Sequence, residues 1–194
     1  MVSRKNWDEH YTESKAEARS LKPFDFLADN IDLLPKGKAL DIAMGEGRNA
    51  VFLAEHGFEV TGVDSSEVAV NTCNEIAAER GLDITTIVAD LSDYSLPKGA
   101  FDVVVNCNYL QRDLIDSIKL ALRVGGVVVF ETLNTEHLKF NPDINPDFLL
   151  LPGELLESFG DFVTLVYREG VVTNPETNRQ KSVSSLIARK IRRA

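Results

Sequence analysis

One stretch near the N-terminus decides the fold of this chain: Leu40-Asp41-Ile42-Ala43-Met44-Gly45-Glu46-Gly47-Arg48. A short apolar run, residues 39–42, precedes its two glycines, and a helical pattern of apolar residues follows them. The stretch therefore predicts a strand, a glycine turn and the start of a helix. Glycines lack a Cβ and let a ligand approach the main chain closely. Turns of this kind are where open α/β sheets bind nucleotide-like ligands.

Strand and helix patterns alternate on the C-terminal side of this stretch, which is typical of an α/β fold with a doubly wound, mostly parallel sheet. Five strands are expected in the apolar runs 38–43, 59–63, 84–89, 101–105 and 127–130. Two more, 162–167 and 182–191, flank a turn and predict a C-terminal antiparallel hairpin. We therefore expect seven strands in a single sheet.

The composition limits the partners of the protein. Its 194 residues include 21 basic and 30 acidic side chains, a formal net charge of −9, which disfavours contact with nucleic acid phosphates. Two cysteines are too few for a zinc site or a disulfide framework, and we expect no metal. The sequence has no apolar run of membrane-spanning length and no signal-peptide core. We expect a cytoplasmic protein without nucleic acid or membrane partners.

Three successive strands end in an aspartate: Asp41, Asp64 and Asp90. Because the parallel strands of a doubly wound sheet end at one edge, these carboxylates should line one crevice. Asp64 is placed to accept hydrogen bonds from both hydroxyls of a ribose, as the acidic residue of dinucleotide sites does. Asp90, with Leu91, could contact the edge of an adenine. Asp41 lies directly under the glycine turn.

Two classes of ligand are compatible with the glycine turn alone. Residues 45–50 match G-x-G-x-x-A, the dinucleotide fingerprint, so an NAD(P)-dependent oxidoreductase is one alternative. However, Asp41 and Glu46 place two carboxylates where a pyrophosphate would bind, and such repulsion costs on the order of several kcal/mol at low effective dielectric. S-adenosylmethionine has an adenosyl group, a sulfonium and no phosphate. It fits the carboxylate pattern better.

Residues 40–48 resemble motif I of the class I S-adenosylmethionine-dependent methyltransferases. Asp64 and Asp90 match the ribose-binding and adenine-contacting positions of that family. Arg123-Val124-Gly125-Gly126 resembles its segment before strand five, with valine in place of the usual proline, and the hairpin resembles its reversed last strand. The resemblance covers roughly residues 37–190. It implies that S-adenosylmethionine is the cofactor.

Two finer features are similar to the tellurite-resistance type of small-molecule methyltransferase. They are the Gly-Arg-Asn sequence after the glycine turn and the C-terminal run 185–190. The resemblance implies a small-molecule acceptor, with a chalcogen or a thiol as candidates. One departure is Ala43, which stands where the family usually has its first glycine, and we expect reduced clearance there without loss of binding. A non-catalytic binding protein of the same fold remains a further alternative.

On this resemblance the chain is one methyltransferase domain, 1–194. Its parts are a helical cap (1–35), a cofactor-binding half (37–133), an insert (134–151), and a C-terminal helix with the hairpin (152–194). The resemblance and the strand ends together predict the residues that contact the cofactor: Tyr11, Asp41, Ala43, Gly45, Gly47, Arg48, Asp64, Ser65, Asp90, Leu91 and Asn106.

Methyl transfer from a sulfonium needs alignment of the reactants more than acid–base chemistry. Tyr11, Tyr109 and Arg112 are our candidates for positioning the substrate. Tyr11 shares a helix face with Trp7 and His10, and that face either docks the cap or forms a lid. Three further residues are weaker candidates: Cys107, which we expect to be buried, Glu131 and His137. Nucleic acid methylation is disfavoured, since the segment 106–109 lacks the prolines of base-methylating enzymes.

Overall fold

A computed structural model of the protein describes residues 4–14, 21–174 and 177–192. It contains one seven-stranded sheet with the order β3-β2-β1-β4-β5-β7-β6. The strands are β1 Lys38–Ile42, β2 Glu59–Asp64, β3 Ile84–Val88, β4 Phe101–Cys107, β5 Leu122–Leu133, β6 Phe162–Thr173 and β7 Gln180–Lys190. Strands β1 to β5 are parallel, whereas β7 is antiparallel to both of its neighbours. The predicted doubly wound sheet with a terminal hairpin is confirmed.

Six α-helices lie within the described residues: α1 Arg4–Ser14, α2 Asp25–Ala28, α3 Arg48–Glu55, α4 Glu67–Arg80, α5 Leu114–Ala121 and α6 Glu154–Ser158. None of the helices in this part of the chain is long and apolar enough to cross a membrane. The second helix is short, Asp25–Ala28. It stops after one turn because the side chain of Asn30 donates to the Phe26 carbonyl at 2.8 Å, and a 3-10 turn, Ile31–Leu33, follows.

The strands around the insert are longer than their apolar runs predicted. β5 continues past Phe130 because Thr132 and Leu133 still pair with Ser184 and Val183 of β7. The hairpin strands likewise extend to Thr173 and from Gln180 by mutual pairing. Backbone pairing with a neighbour sustains a strand where the side chains are polar, and a sequence pattern does not contain that information.

The central strands are buried on both faces, as the β-branched run of β4 indicates. Val104 faces the core formed with α5 and α6, whereas Val103 and Val105 face α3 and the segment around Phe24 and Phe26. All three valines have no exposed surface. Helices on both faces therefore leave the carboxyl edge of the sheet as the place where loops from several strands meet.

Gly47 is required by packing as well as by backbone conformation. Its φ is 84°, and it precedes the first residue of α3. A Cβ at Gly47 would lie 2.3 Å from Sγ of Cys73 in α4, a buried side chain that has no room to move. The glycine thus lets α3 and α4 pack closely beside the turn.

We expect Gly47→Ala to destabilise the protein more than Gly57→Ala, which is a matched control. Gly57 has a similar φ of 81°, but nothing lies within 4 Å of a Cβ built there. The control should lose about 1–2 kcal/mol of unfolding free energy through backbone strain. Gly47→Ala should lose about 1–3 kcal/mol more by overpacking, and Cys73→Ala in that background should restore part of it. Urea denaturation measures these differences, and equal losses at the two glycines would contradict the packing argument.

Candidate active site

The carboxyl ends of β1 and β2 are joined by the side chain of Asp64. Its Oδ2 accepts the Gly45 N–H at 2.8 Å, and its Oδ1 accepts the Ser66 N–H at 2.9 Å. Burial raises the pKa of the Asp64 carboxyl, while main-chain hydrogen bonds from Ser66, Gly45 and the half-buried Ser65 oppose that rise. Each carboxylate oxygen can accept a second hydrogen bond. Asp64 can therefore also receive the two hydroxyls of a ribose.

Asp41 is a buried acid with one unsatisfied oxygen beneath the glycine turn. It is 1% exposed, and its Oδ2 accepts no hydrogen bond from the described residues. Burial raises the pKa of Asp41 to about 7, whereas Arg48 and the Ala50 main chain oppose the rise and Asp64 adds to it. A buried carboxylate oxygen without a partner is unfavourable. A cationic group bound at the turn would give it a partner.

The turn uses left-handed backbone at Ala43, Gly45 and Gly47, with φ of 51°, 57° and 84°. An alanine in this conformation costs about 1–2 kcal/mol. Ala43 nevertheless adopts the backbone conformation that favours glycine. At Gly45 the space is needed, because a Cβ there would lie 2.7 Å from the Tyr11 hydroxyl.

Helix α1 lies over this turn and against the start of α4. Asp8 Oδ1 accepts the Ser66 hydroxyl at 2.6 Å, and the Val68 N–H is 3.4 Å away. The hydroxyl of Tyr11 lies next to Gly45, while Trp7 and His10 pack their rings edge to face with centroids 5.6 Å apart. The cap and the cofactor-binding half thus meet at the predicted site, which places Tyr11 with the other candidates.

Asp90 and Leu91 follow β3 at the same edge of the sheet. Asp90 is exposed, and its Oδ1 accepts both the N–H and the hydroxyl of Ser92, at 2.9 and 2.7 Å. These hydrogen bonds lower the pKa of Asp90. Leu91 is buried. The pair offers an ionised acceptor beside an apolar surface, which is what an adenine edge and face require.

Asn106 and Tyr109 shape the loop after β4. The buried Asn106 side chain donates to the Tyr109 carbonyl at 2.7 Å, and the Tyr109 hydroxyl donates to Gln111 Oε1 at 2.6 Å. Burial, with Asp90 and other nearby carboxylates, raises the pKa of Tyr109 to about 12. Tyr109 therefore stays protonated at neutral pH and lies within electrostatic reach of the crevice. It can donate a hydrogen bond but is no base.

Arg112 holds the insert in place. Its guanidinium binds Glu154 with Nε–Oε1 at 2.7 Å and donates to the carbonyls of Asp147 and Leu149, both at 2.8 Å. The Arg112 side chain is thus bound to the end of the insert and to Glu154, which follows it. Arg112 therefore fixes the placement of residues 147–154.

The segment at the end of β5 carries a buried acid with several partners. Glu131 is 2% exposed and accepts from Arg168 at 2.9 Å, Lys181 at 3.1 Å and the Ser185 hydroxyl at 2.8 Å. Neighbouring Cys107 is buried, and its burial raises the pKa of the thiol well above the ordinary value. Cys107 is therefore a protonated thiol and not a nucleophile.

Comparison with known proteins adds to this geometry. A methyltransferase domain family matches residues 39–126. TehB of Haemophilus influenzae, named "Probable S-adenosyl-L-methionine-dependent methyltransferase", is 26% identical over 84% of this chain and 61% of its own length. YqeM of Bacillus subtilis is 34% identical over 59% of this chain and 51% of its own length. Residues 39–126 of this chain are thus similar to a methyltransferase domain. The chain spans about half to three fifths of the length of these two relatives.

Solved structures of methyltransferases have the same fold. The crystal structure of Haemophilus influenzae TehB superposes with a TM-score of 0.74 and 23% identity, covering 95% of this chain and 67% of that one. A geranyl diphosphate C-methyltransferase from Streptomyces coelicolor, crystallised with S-adenosyl-L-homocysteine, has a TM-score of 0.67 and 19% identity over 84% of this chain and 74% of its own. These two likenesses show the fold that the chain shares with both proteins.

The residues at this edge of the sheet fit S-adenosylmethionine. The unsatisfied Asp41 oxygen suits a ligand with positive charge, and the Tyr11 hydroxyl covers Gly45 beside it. Asp64 retains capacity for ribose hydroxyls. Within the described residues, no group of three or more His, Cys, Asp or Glu side chains could hold a metal ion.

Asp8 is a site residue that sequence reasoning missed. It lies three residues before Tyr11, on the same face of α1. An acidic residue there was a weak signal, because its partner Ser66 is 58 residues away. Arg168 and Lys181 were missed for the same reason, since their partner Glu131 lies 37 and 50 residues away.

We expect Asp41→Asn to change the pH dependence of stability in a defined direction. Because the pKa of Asp41 in the folded protein is raised to about 7 from 3.8, the folded state holds a proton between these values that the unfolded state releases. The wild type therefore loses stability as pH rises through this window. Asparagine keeps the shape without the charge, so the variant should gain about 1–2 kcal/mol relative to the wild type between pH 5.5 and 8.

Urea denaturation at the two pH values measures this difference. Asp83→Asn, a change of an exposed aspartate just before β3, is the control and should follow the wild type. A variant whose difference from the wild type stays constant, or falls toward pH 8, would show that Asp41 is ionised throughout.

Proposed function

We propose that this protein transfers a methyl group from S-adenosylmethionine to a small-molecule acceptor. The observation that carries the proposal is the pair of buried carboxylates around the glycine turn. Asp64 binds the turn itself, and Asp41 has an oxygen without a partner beneath it. This arrangement favours a cationic adenosyl ligand and disfavours a pyrophosphate.

Each residue has a task in binding the cofactor. Asp64 would receive the ribose hydroxyls, Asp90 and Leu91 the adenine, and the Gly45 and Gly47 main chain the remainder of the ligand. When bound, S-adenosylmethionine supplies an activated methyl group on a sulfonium. Tyr11, on the α1 helix above the turn, would close this side of the site against water.

The acceptor side suits alignment without a general base. The Tyr109 hydroxyl and the Cys107 thiol both hold their protons at neutral pH, since their pKa values are raised. A Tyr109 donor beside Asn106 can orient an acceptor at the end of β4. A thiol or a soft chalcogen ionises by itself near neutral pH and needs no base. This supports the chalcogen or thiol acceptor as the finer proposal, and the net charge of −9 supports a small molecule over nucleic acid.

Calorimetric titration with S-adenosyl-L-homocysteine tests the cofactor assignment. The wild type should bind it, and Asp64→Ala should weaken binding at least about tenfold, because hydrogen bonds to a charged acceptor are lost. Asp64→Asn keeps the volume and separates charge from packing, and Asp83→Ala should bind as the wild type does. A thermal melt confirms that each variant is folded.

Two outcomes would overturn the proposal. One is no binding of S-adenosyl-L-homocysteine at millimolar concentration, and the other is an NADH fluorescence titration that saturates, which would favour the oxidoreductase. Binding of the homocysteine analogue without turnover against thiol, selenol and tellurite acceptors would instead identify a non-catalytic binding protein of this fold.

A further inference from the structure

A group of charged side chains on β5, β6 and β7 has no role in the function proposed above. We call Glu131, Arg168, Lys181 and Ser185 the Glu131 cluster. Glu131 lies at the carboxyl end of β5, and backbone pairing places it between Cys107 of β4 and Ser185 of β7. Ser185 in turn pairs with Arg168 of β6. The cluster therefore begins directly beside the loop that carries Asn106 and Tyr109.

The cluster has more positive than negative charge. One carboxylate, Glu131, faces two cations, and its side chain is only 3% exposed, whereas those of Arg168 and Lys181 are 42% and 32% exposed. Glu131 thus fixes one side of each cation and leaves the other side open to a ligand. In a protein with a net charge of −9, an oriented pair of cations of this kind is a specific binding feature and not a general surface property.

Two aromatic rings lie against the same cations. Lys181 Nζ lies 5.1 Å from the ring centre of Phe24, and the Arg168 guanidinium lies 5.0 Å from that of Phe26. Arg48 covers Phe24 at 3.9 Å. Cation–aromatic contacts of this length are attractive and hold the cations in place. Both rings are buried, with Phe24 8% and Phe26 3% exposed, so they fix the cations and leave the charged groups for a ligand to reach.

Most of the predicted cofactor contacts are separated from the cluster. They lie at or after the ends of β1, β2 and β3, whereas β5, β7 and β6 lie beyond β4. The contacts nearest the cluster are Asn106 of β4 and Arg48, which lies on the same Phe24 ring as Lys181. Neighbouring strands are about 4.8 Å apart, so Glu131 is about 10 Å from the end of β1 along the sheet, and Arg168 is farther still. The loop after β4 lies between the two groups, which is where methyl donor and acceptor would meet.

From these observations we propose that Arg168 and Lys181 bind the carboxylate of an organic acceptor. Glu131 and the buried rings of Phe24 and Phe26 hold both cations in position. The inference rests on the proposed function and deepens it, since it defines the acceptor as a small organic anion.

S-adenosylmethionine also has a carboxylate. The experiment must therefore distinguish binding of the acceptor's carboxylate from binding of the cofactor's carboxylate. Binding of benzoate and of benzamide, which share a shape and differ in charge, is measured by calorimetry with and without S-adenosyl-L-homocysteine. The variants are Lys181→Met and Arg168→Met. Lys38→Met is the control. Lys38 is the first residue of β1, at the end of the parallel strands opposite to the site, and it forms an ion pair with Glu59. All variants are also titrated with S-adenosyl-L-homocysteine and with methylthioadenosine, which lacks the carboxylate.

The wild type and Lys38→Met should bind benzoate about tenfold more tightly than benzamide, as expected for charge-assisted hydrogen bonds. Lys181→Met and Arg168→Met should each reduce that preference to about threefold or less. Their affinity for S-adenosyl-L-homocysteine should remain within about threefold of the wild type.

Three results would overturn the inference. In the first, the wild type binds both probes equally or fails to bind benzoate at about 10 mM. In the second, both variants retain the preference for benzoate. In the third, the variants lose affinity for S-adenosyl-L-homocysteine but not for methylthioadenosine, which would assign the cations to the cofactor. Failure of the wild type to bind S-adenosyl-L-homocysteine would contradict the proposed function and not this inference. The preference for benzoate over benzamide, measured without S-adenosyl-L-homocysteine, still tests the inference in that case.

Discussion

The cofactor edge of this protein depends on the carboxylate of Asp64. Through its hydrogen bonds to the Gly45 and Ser66 main chain, it fixes the glycine turn relative to the start of α4. Ser66 then caps α4 by accepting the Ala69 N–H at 3.2 Å, and its hydroxyl binds Asp8 of α1. One side chain therefore links two strand ends, a helix start and the N-terminal cap. The same carboxylate is the group that would bind a ribose, so structure and binding depend on one residue.

This arrangement carries an electrostatic cost. Asp41 and Asp64 are both nearly fully buried, and each raises the free energy of the other's ionised form. Main-chain donors satisfy Asp64, but one oxygen of Asp41 has no such partner among the described residues. A folded protein tolerates a group like this where a ligand completes the site. The unfavourable burial of Asp41 is thus best understood as preparation for a cationic ligand.

The sequence predicted features whose signals are local. The positions of the seven strands, the hairpin and the aspartates at successive strand ends follow from apolar runs and turn residues within short windows. The role of Arg112 could not be predicted in that way, since its partner Glu154 is 42 residues away. Arg112 contacts Glu154 and the main chain of the insert at Asp147 and Leu149. The same holds for Glu131. The strand pattern indicates that Glu131 is buried, whereas its cationic partners, Arg168 and Lys181, lie on β6 and β7.

The edge of the sheet has opposite charge on its two sides. Carboxylates are concentrated at the ends of β1, β2 and β3, and the cations Arg168 and Lys181 lie on β6 and β7, with neutral Asn106 and Tyr109 at the end of β4 between them. A sulfonium donor is attracted to the first side and an anionic acceptor to the second. Each reactant would be repelled from the site of the other, because like charges oppose it there. Such a distribution orders two different ligands without a base, and alignment at β4 is then what the transfer of a methyl group requires.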